Sequence, residues 1–225
     1  MEADFLRKHL RIAIAGWGVL VIGGFGLSIR YEFSPGPAGD QASSLHWIDI
    51  APLLDNAGAN TEESAASNRV VMIAHPLCPC TLASLFELSL AIAEAERVRV
   101  AATPHAHVYV VLTVPLDEGE DWMESEIVIA AEAMDDVTVI FDVGGVIAAR
   151  CGIETSGHTL VFDASGDLQF LGGITSSRGQ RGENPGKSQL MQAMSGVLPN
   201  QRSTPVFGCL LVQPADQGMA QGAAR

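Results

Sequence analysis

The sequence predicts an α/β domain, with a central mixed β-sheet flanked by helices, carried behind one N-terminal membrane-spanning helix. Three observations lead there. Residues 12–29 contain no charged side chain. From residue 69 onward, short apolar runs alternate with longer segments of helical periodicity. Two late apolar runs are separated by Asp163-Ala164-Ser165-Gly166-Asp167, a turn composition that makes them a hairpin.

The uncharged run is 18 residues, about 27 Å as a helix at ~1.5 Å per residue, close to the thickness of a bilayer core. Arg7, Lys8 and Arg11 precede it and only Arg30 follows directly. The positive-inside rule then puts residues 1–11 in the cytoplasm and the bulk of the chain outside it. A cleaved signal peptide is the alternative, but the run is long for one and no small-x-small site follows at Arg30-Tyr31-Glu32-Phe33. Either way the larger part is exported, to a compartment that permits disulfides.

Composition narrows the function. The net charge is −13 and the chain has two lysines, Lys8 and Lys187. A nucleic-acid binder needs a basic face to neutralise phosphates, so that class is set aside. Hydrophobic residues make up 48% and charged residues 17%, which excludes disorder and coiled coil.

Residues 34–44 are turn-rich and polar, a tether; residues 45–54 are apolar enough to dock, and 55–68 read as loop. Residues 69–74 (RVVMIA) are a buried-strand signal. Residues 81–97 are helical, with Leu82, Leu85, Phe86 and Ile92 on one face. Strands follow at 107–114 and 137–141, with a helix at 122–134 between them. A short helix at 146–150, strands at 159–162 and 168–171, and a helix at 188–195 complete the pattern. The strand–helix–strand spacing implies parallel pairing with right-handed crossovers, and the hairpin adds antiparallel strands.

His75-Pro76-Leu77-Cys78-Pro79-Cys80-Thr81 falls where the first of these strands gives way to its helix. Pro79 suits a first helical position, because its missing N–H would be unpaired there. Cys78 is then the N-cap, close to free backbone N–H groups that favour thiolate over thiol. A thiolate attacks disulfides and binds metals. Cys80 is in reach of Cys78 only outside regular helix geometry, and a ring that tight is oxidising. Two cysteines packed inertly at a helix start are the plain alternative.

The Cys-Pro-Cys motif after the first core strand, the βαβ order and the terminal ββα resemble the thioredoxin-like superfamily. The chain is most similar to membrane-anchored RedB-like proteins. The likeness lies in His75–Thr81, in Gly172-Gly173-Ile174-Thr175-Ser176-Ser177-Arg178-Gly179, in Gly182-Glu183-Asn184 and in Thr204-Pro205-Val206-Phe207-Gly208-Cys209. It implies a thioredoxin-like domain over residues 69–198, between a linker and docking segment at 31–68 and a C-terminal tail at 199–225; the membrane helix takes residues 12–30. Two departures stand out. One residue, not two, separates the cysteines. Gly157 stands where that superfamily carries a cis-proline.

The resemblance implies a thiol–disulfide oxidoreductase tethered to the cytoplasmic membrane, acting on protein thiols or disulfides in the periplasm without an organic cofactor. Cys78 attacks and Cys80 resolves, supported by His75, Pro79, Gly157 and His158; Cys151 and Cys209 are further resolving or structural thiols. Four cysteines allow three pairings. The alternative is copper delivery, with Cys78, Cys80 and His158 as ligands. His105 and His107 share a strand face but form a weak metal signal. Arg178 and Arg181 lie in a glycine-rich loop, either holding an anionic group or simply solvated.

Overall fold

The computed structural model describes residues 2–37, 44–64, 66–98, 105–114, 116 and 120–211. Residues 38–43 of the tether and 212–225 of the tail lie outside the described residues. The chain divides into two compact units, Met1–Ser34 and Pro35–Arg225. The first is one helix, α1 (Glu2–Glu32), whose stretch Arg7–Glu32 is long and apolar enough to cross a membrane.

The second unit is built on β1 (Arg69–Ala74), β2 (His107–Val114), β3 (Val137–Val143), β4 (His158–Phe162), β5 (Leu168–Gly172) and β6 (Ser203–Thr204). They form one sheet in the order β3-β2-β1-β4-β5-β6. β1 pairs parallel with β2, and β2 parallel with β3. β4 pairs antiparallel with both β1 and β5. A parallel β-α-β half and an antiparallel ββα half thus meet at the β1–β4 pair, which is the thioredoxin-like arrangement.

Both faces of the sheet are covered, which is why β1 is apolar at almost every position rather than at alternate ones. Val71 and Ile73 face α2 (Trp47–Asn56) and α5 (Val146–Arg150). Val70, Met72 and Ala74 face α3 (Thr81–Val98), α4 (Glu126–Glu132) and α6 (Pro185–Met194). α2 holds its face through buried Trp47, Ile50 and Leu54, and the Trp47 ring packs tilted against Tyr109 and Phe162, with centroids 5.7 Å from each.

Several boundaries differ from the sequence reading. The expected helix at 122–134 is a 3₁₀ turn, Glu120–Glu124, followed by α4, because the Ser125 side chain accepts from Val128 N–H and starts a new helix. α6 begins at Pro185 rather than 188, since Asn184 accepts from Lys187 N–H as its cap and Pro185 is pre-shaped for the first turn. The larger correction concerns the C-terminal tail. Its first part is no tail. β6 pairs parallel with β5, and the chain stays against the domain as far as Leu211, which is buried.

Candidate functional site

β1 ends at Ala74, and the chain turns away from the sheet. His75 N–H donates to the Ser156 hydroxyl at 2.8 Å, and Leu77 N–H donates to His75 Nδ1 at 3.1 Å. The imidazole therefore caps this turn. A second turn closes when Cys78 carbonyl accepts from Thr81 N–H at 2.9 Å. α3 starts only at Thr81, so Pro79 is not its first residue and Cys78 is not its N-cap. The Cys-Pro-Cys triplet occupies the turn before the helix.

Thr81 and Cys80 supply local donors to Cys78, and the others come from a distant segment. At the end of β6, Thr204 hydroxyl donates to Gly173 carbonyl at 2.7 Å, and the segment then crosses in front of the Cys78 turn. There it pairs with residues 154–156. Ser156 N–H donates to Cys209 carbonyl at 2.9 Å and Leu211 N–H to Glu154 carbonyl at 2.8 Å, with Thr155 opposite Leu210 in antiparallel register. Gly208 makes the approach possible, because a Cβ there would stand 1.9 Å from the Ser156 carbonyl oxygen. Cys209 N–H thereby donates to Cys78 Sγ at 3.3 Å.

Three sulfurs meet as a result. Cys78, Cys80 and Cys209 have their Sγ atoms all within 4.8 Å of one another. Cys78 is 1% exposed, while Cys80 and Cys209 are half-buried. Burial is the largest influence on the Cys78 thiol and pushes its pKa up. Hydrogen bonds from the Cys209 thiol, the Thr81 hydroxyl and the N–H groups of Cys209 and Cys80 outweigh it, so Cys78 lies below the ordinary cysteine value. Cys80 is raised by burial and by the Cys78 charge. Burial and the hydrogen bond it gives to Cys78 push Cys209 up to about 12. Of the three thiols, Cys78 is the one this arrangement makes easiest to ionise.

Arg178 completes the cluster. Its guanidinium donates to Gly208 carbonyl, and its charge and hydrogen bond act on Cys80 to oppose the rise. The loop that presents it is held from below by a buried ion pair. Lys187 Nζ lies 3.2 Å from Glu87 Oε2 and 2.8 Å from Glu183 Oε1, and Gly182 N–H donates to Glu87 Oε1 at 2.5 Å.

The other histidine and cysteine expected at the site are not members of the sulfur cluster. His158 is on β4, on the face that carries Leu160 and Phe162, and it is 1% exposed. It does not belong to the donor cluster found among the described residues. Its Nδ1 has no hydrogen-bond partner, and burial holds its pKa down to about 4. Cys151 is fully buried among Ile147, Ile153 and the α2 side chains, with its thiol pushed up to about 12 by burial and, next, by the Asp142 charge. It is a packing residue there, away from the three sulfurs. Gly157 has a φ of +86°, and its N–H donates to Ile73 carbonyl at 2.8 Å. A proline could adopt neither that φ nor that bond, which explains the departure from the superfamily pattern. Ser156 and Thr81, whose hydroxyls lie 2.7 Å apart, were not singled out in the sequence. Nothing in their spacing marks them.

Two solved structures share this architecture. An uncharacterised conserved protein from Geobacillus kaustophilus superposes with a TM-score of 0.54 at 14% identity, over 80% of this chain and 94% of its own. A hypothetical protein, SMc02350, from Sinorhizobium meliloti 1021 gives the same score and identity over 82% and 99%. A secreted Mycobacterium tuberculosis disulfide oxidoreductase, described as homologous to E. coli DsbE, matches at 0.41 and 14% identity over 62% and 88%. No protein-family model and no curated protein matches the chain. The fold is thioredoxin-like, and its candidate site is a three-thiol cluster.

Proposed function

We propose that this chain is a membrane-anchored thiol–disulfide oxidoreductase working in the periplasm, with Cys78 as the attacking thiolate and Cys80 resolving the mixed disulfide. The observation that carries the reading is the imbalance among the three thiols. Cys78 alone is held below the ordinary cysteine value, by donors aimed at its sulfur, while its two neighbours are raised. Sulfur carries both electrons, so no organic cofactor is needed. The apolar stretch of α1 supports the anchor, with its basic flank on the cytoplasmic side. The segments that resemble RedB-like proteins frame the same site: one supplies Arg178, another Gly182 and Asn184, the last Gly208 and Cys209.

The test is a trapping experiment. With Cys80 and Cys209 replaced by Ser, Cys78 has no neighbouring thiol to release a partner. Acid-quenched, alkylated membranes run without reductant should show partner-sized adducts that disappear on reduction. Adding Cys78→Ser should abolish them. Adducts that persist without Cys78, or no adducts at all, would sink the proposal.

A second reading is favoured by the sulfur triangle itself. Three sulfurs about 2.3 Å from one ion, the distance typical of zinc thiolates, stand about 4 Å apart. The separations here need to contract by less than an ångström. Soft sulfur donors suit copper(I), and Arg178 would offset part of the thiolate charge. This donor set has Cys209 in place of His158. Reconstitution should give one copper per chain, lost in Cys209→Ser and kept in His158→Leu. Equal loss in both variants would rule the triangle out.

A further inference from the structure

The segment that delivers Cys209 is held like a ligand rather than like a core strand. Its two backbone hydrogen bonds, Ser156 N–H to Cys209 carbonyl and Leu211 N–H to Glu154 carbonyl, form a short antiparallel ladder beside Cys78. Leu210 is 65% exposed and Cys209 half-buried, so the outer side of the segment faces solvent. Leu211 pins one end in the core and Arg178 holds Gly208 at the other. An extended peptide that carries a cysteine and pairs with the same edge would place its sulfur where Cys209 has its own.

We propose that residues 208–211 are an internal substitute for the substrate: they fill the peptide edge at Glu154–Ser156, and a Cys78–Cys209 disulfide is the closed, oxidised form of the protein. The inference rests on the oxidoreductase reading of Cys78 and adds how access to that cysteine is controlled. Opening follows from the exchange chemistry. A thiolate of a partner dithiol attacks Cys78 Sγ. A bond forms between the partner sulfur and Cys78, the Cys78–Cys209 bond breaks, and Cys209 leaves with the electron pair and takes a proton. The second partner thiolate then attacks the partner's bridged sulfur. The partner becomes a disulfide, and Cys78 departs as thiolate. Two electrons pass to this chain. Of the two partner protons, one stays on Cys209 and one goes to solvent. Once Cys209 is free, only hydrogen bonds and Leu211 hold the strap, and a peptide can compete for the edge.

The test uses the full chain in detergent and three measurements. The first maps the bond. Mild oxidation of Cys80→Ser should join tryptic peptides 70–97 and 203–225, and the join should be absent in Cys78→Ser. A wild-type protein oxidised solely between Cys78 and Cys80 would overturn the proposal. The second compares two electrophiles on the reduced protein, a small aromatic disulfide and the same leaving group on an extended heptapeptide. Leu211→Pro, which removes the N–H given to Glu154, should raise the peptide rate at least tenfold relative to the small-molecule rate, which itself reports any change in the Cys78 thiol. Unchanged or equally changed rates would overturn it. The third needs no substitution. Amide exchange at Ser156 and Leu211 should slow at least tenfold when the wild-type chain is oxidised, and equal exchange in both states would overturn the strap. If wild-type Cys78 fails to react with the small disulfide at all, it is the oxidoreductase reading that falls. Normal reactivity with no strap dependence removes this inference alone.

Discussion

A sulfur that is 1% exposed should resist ionisation, yet Cys78 is ringed by donors that tip it the other way. Thr81 supplies one of them through its hydroxyl. Thr81→Val keeps the shape and removes that donor, so the Cys78 pKa should rise and iodoacetamide alkylation at pH 6.5 should slow by several-fold, as followed by mass spectrometry. An unchanged rate would show that the Cys209 donors suffice alone. His158 makes a separate prediction. Its folded pKa of about 4 lies below the ordinary 6.5 because burial disfavours the charged ring. Between those values the unfolded chain takes up a proton that the folded chain refuses. The His158 contribution is therefore intact above pH 6.5 and is lost as pH falls toward 4, by up to about 3 kcal/mol. Urea denaturation of wild type and His158→Leu at pH 7.5 and 4.5 should show the pH slope shrinking in the variant. Parallel slopes would assign the acid sensitivity to other groups.

The strands were the most legible elements, because a sheet covered on both faces demands runs such as Val70-Val71-Met72-Ile73 that few other structures use. The Cys-Pro-Cys motif could be placed at a strand-to-helix turn from the same pattern. The Cys209 donors could not, because Cys209 N–H arrives from a segment with no periodicity, and β6 is only two residues long. Arg178 stands out in sequence as a loop arginine able to hold an anionic group, but its place beside Cys80 does not, because it depends on a loop held by Glu87, which is fully buried on α3. Breaking a buried pair that has no other partner costs about 3–5 kcal/mol; Lys187 keeps Glu183 at 2.8 Å, so the loss here is smaller. Glu87→Gln should accordingly lower the thermal midpoint. Glu87→Leu combined with Lys187→Met should recover most of the loss, while Arg178 loses its support and Cys80 alkylation slows. A double variant as unstable as the single one would mean that the loop, not the charge, dominates.

At the scale of the whole chain, the apolar helix and the three-thiol domain together make a prediction about sidedness. A phosphatase that is active only after export, fused after Arg225, should be active in a bacterial host, and a cytoplasmic reporter at the same point should be silent. The reverse pattern would overturn the exported orientation. The site itself is assembled across a long stretch of sequence, since 131 positions separate Cys209 from Cys78 and only two separate Cys80 from it. The Cys78–Cys209 contact exists only once β6 has docked on β5 and the edge at Glu154 has been paired. Before that point Cys209 has no fixed place beside Cys78. A bond between the two would therefore report that oxidation followed folding.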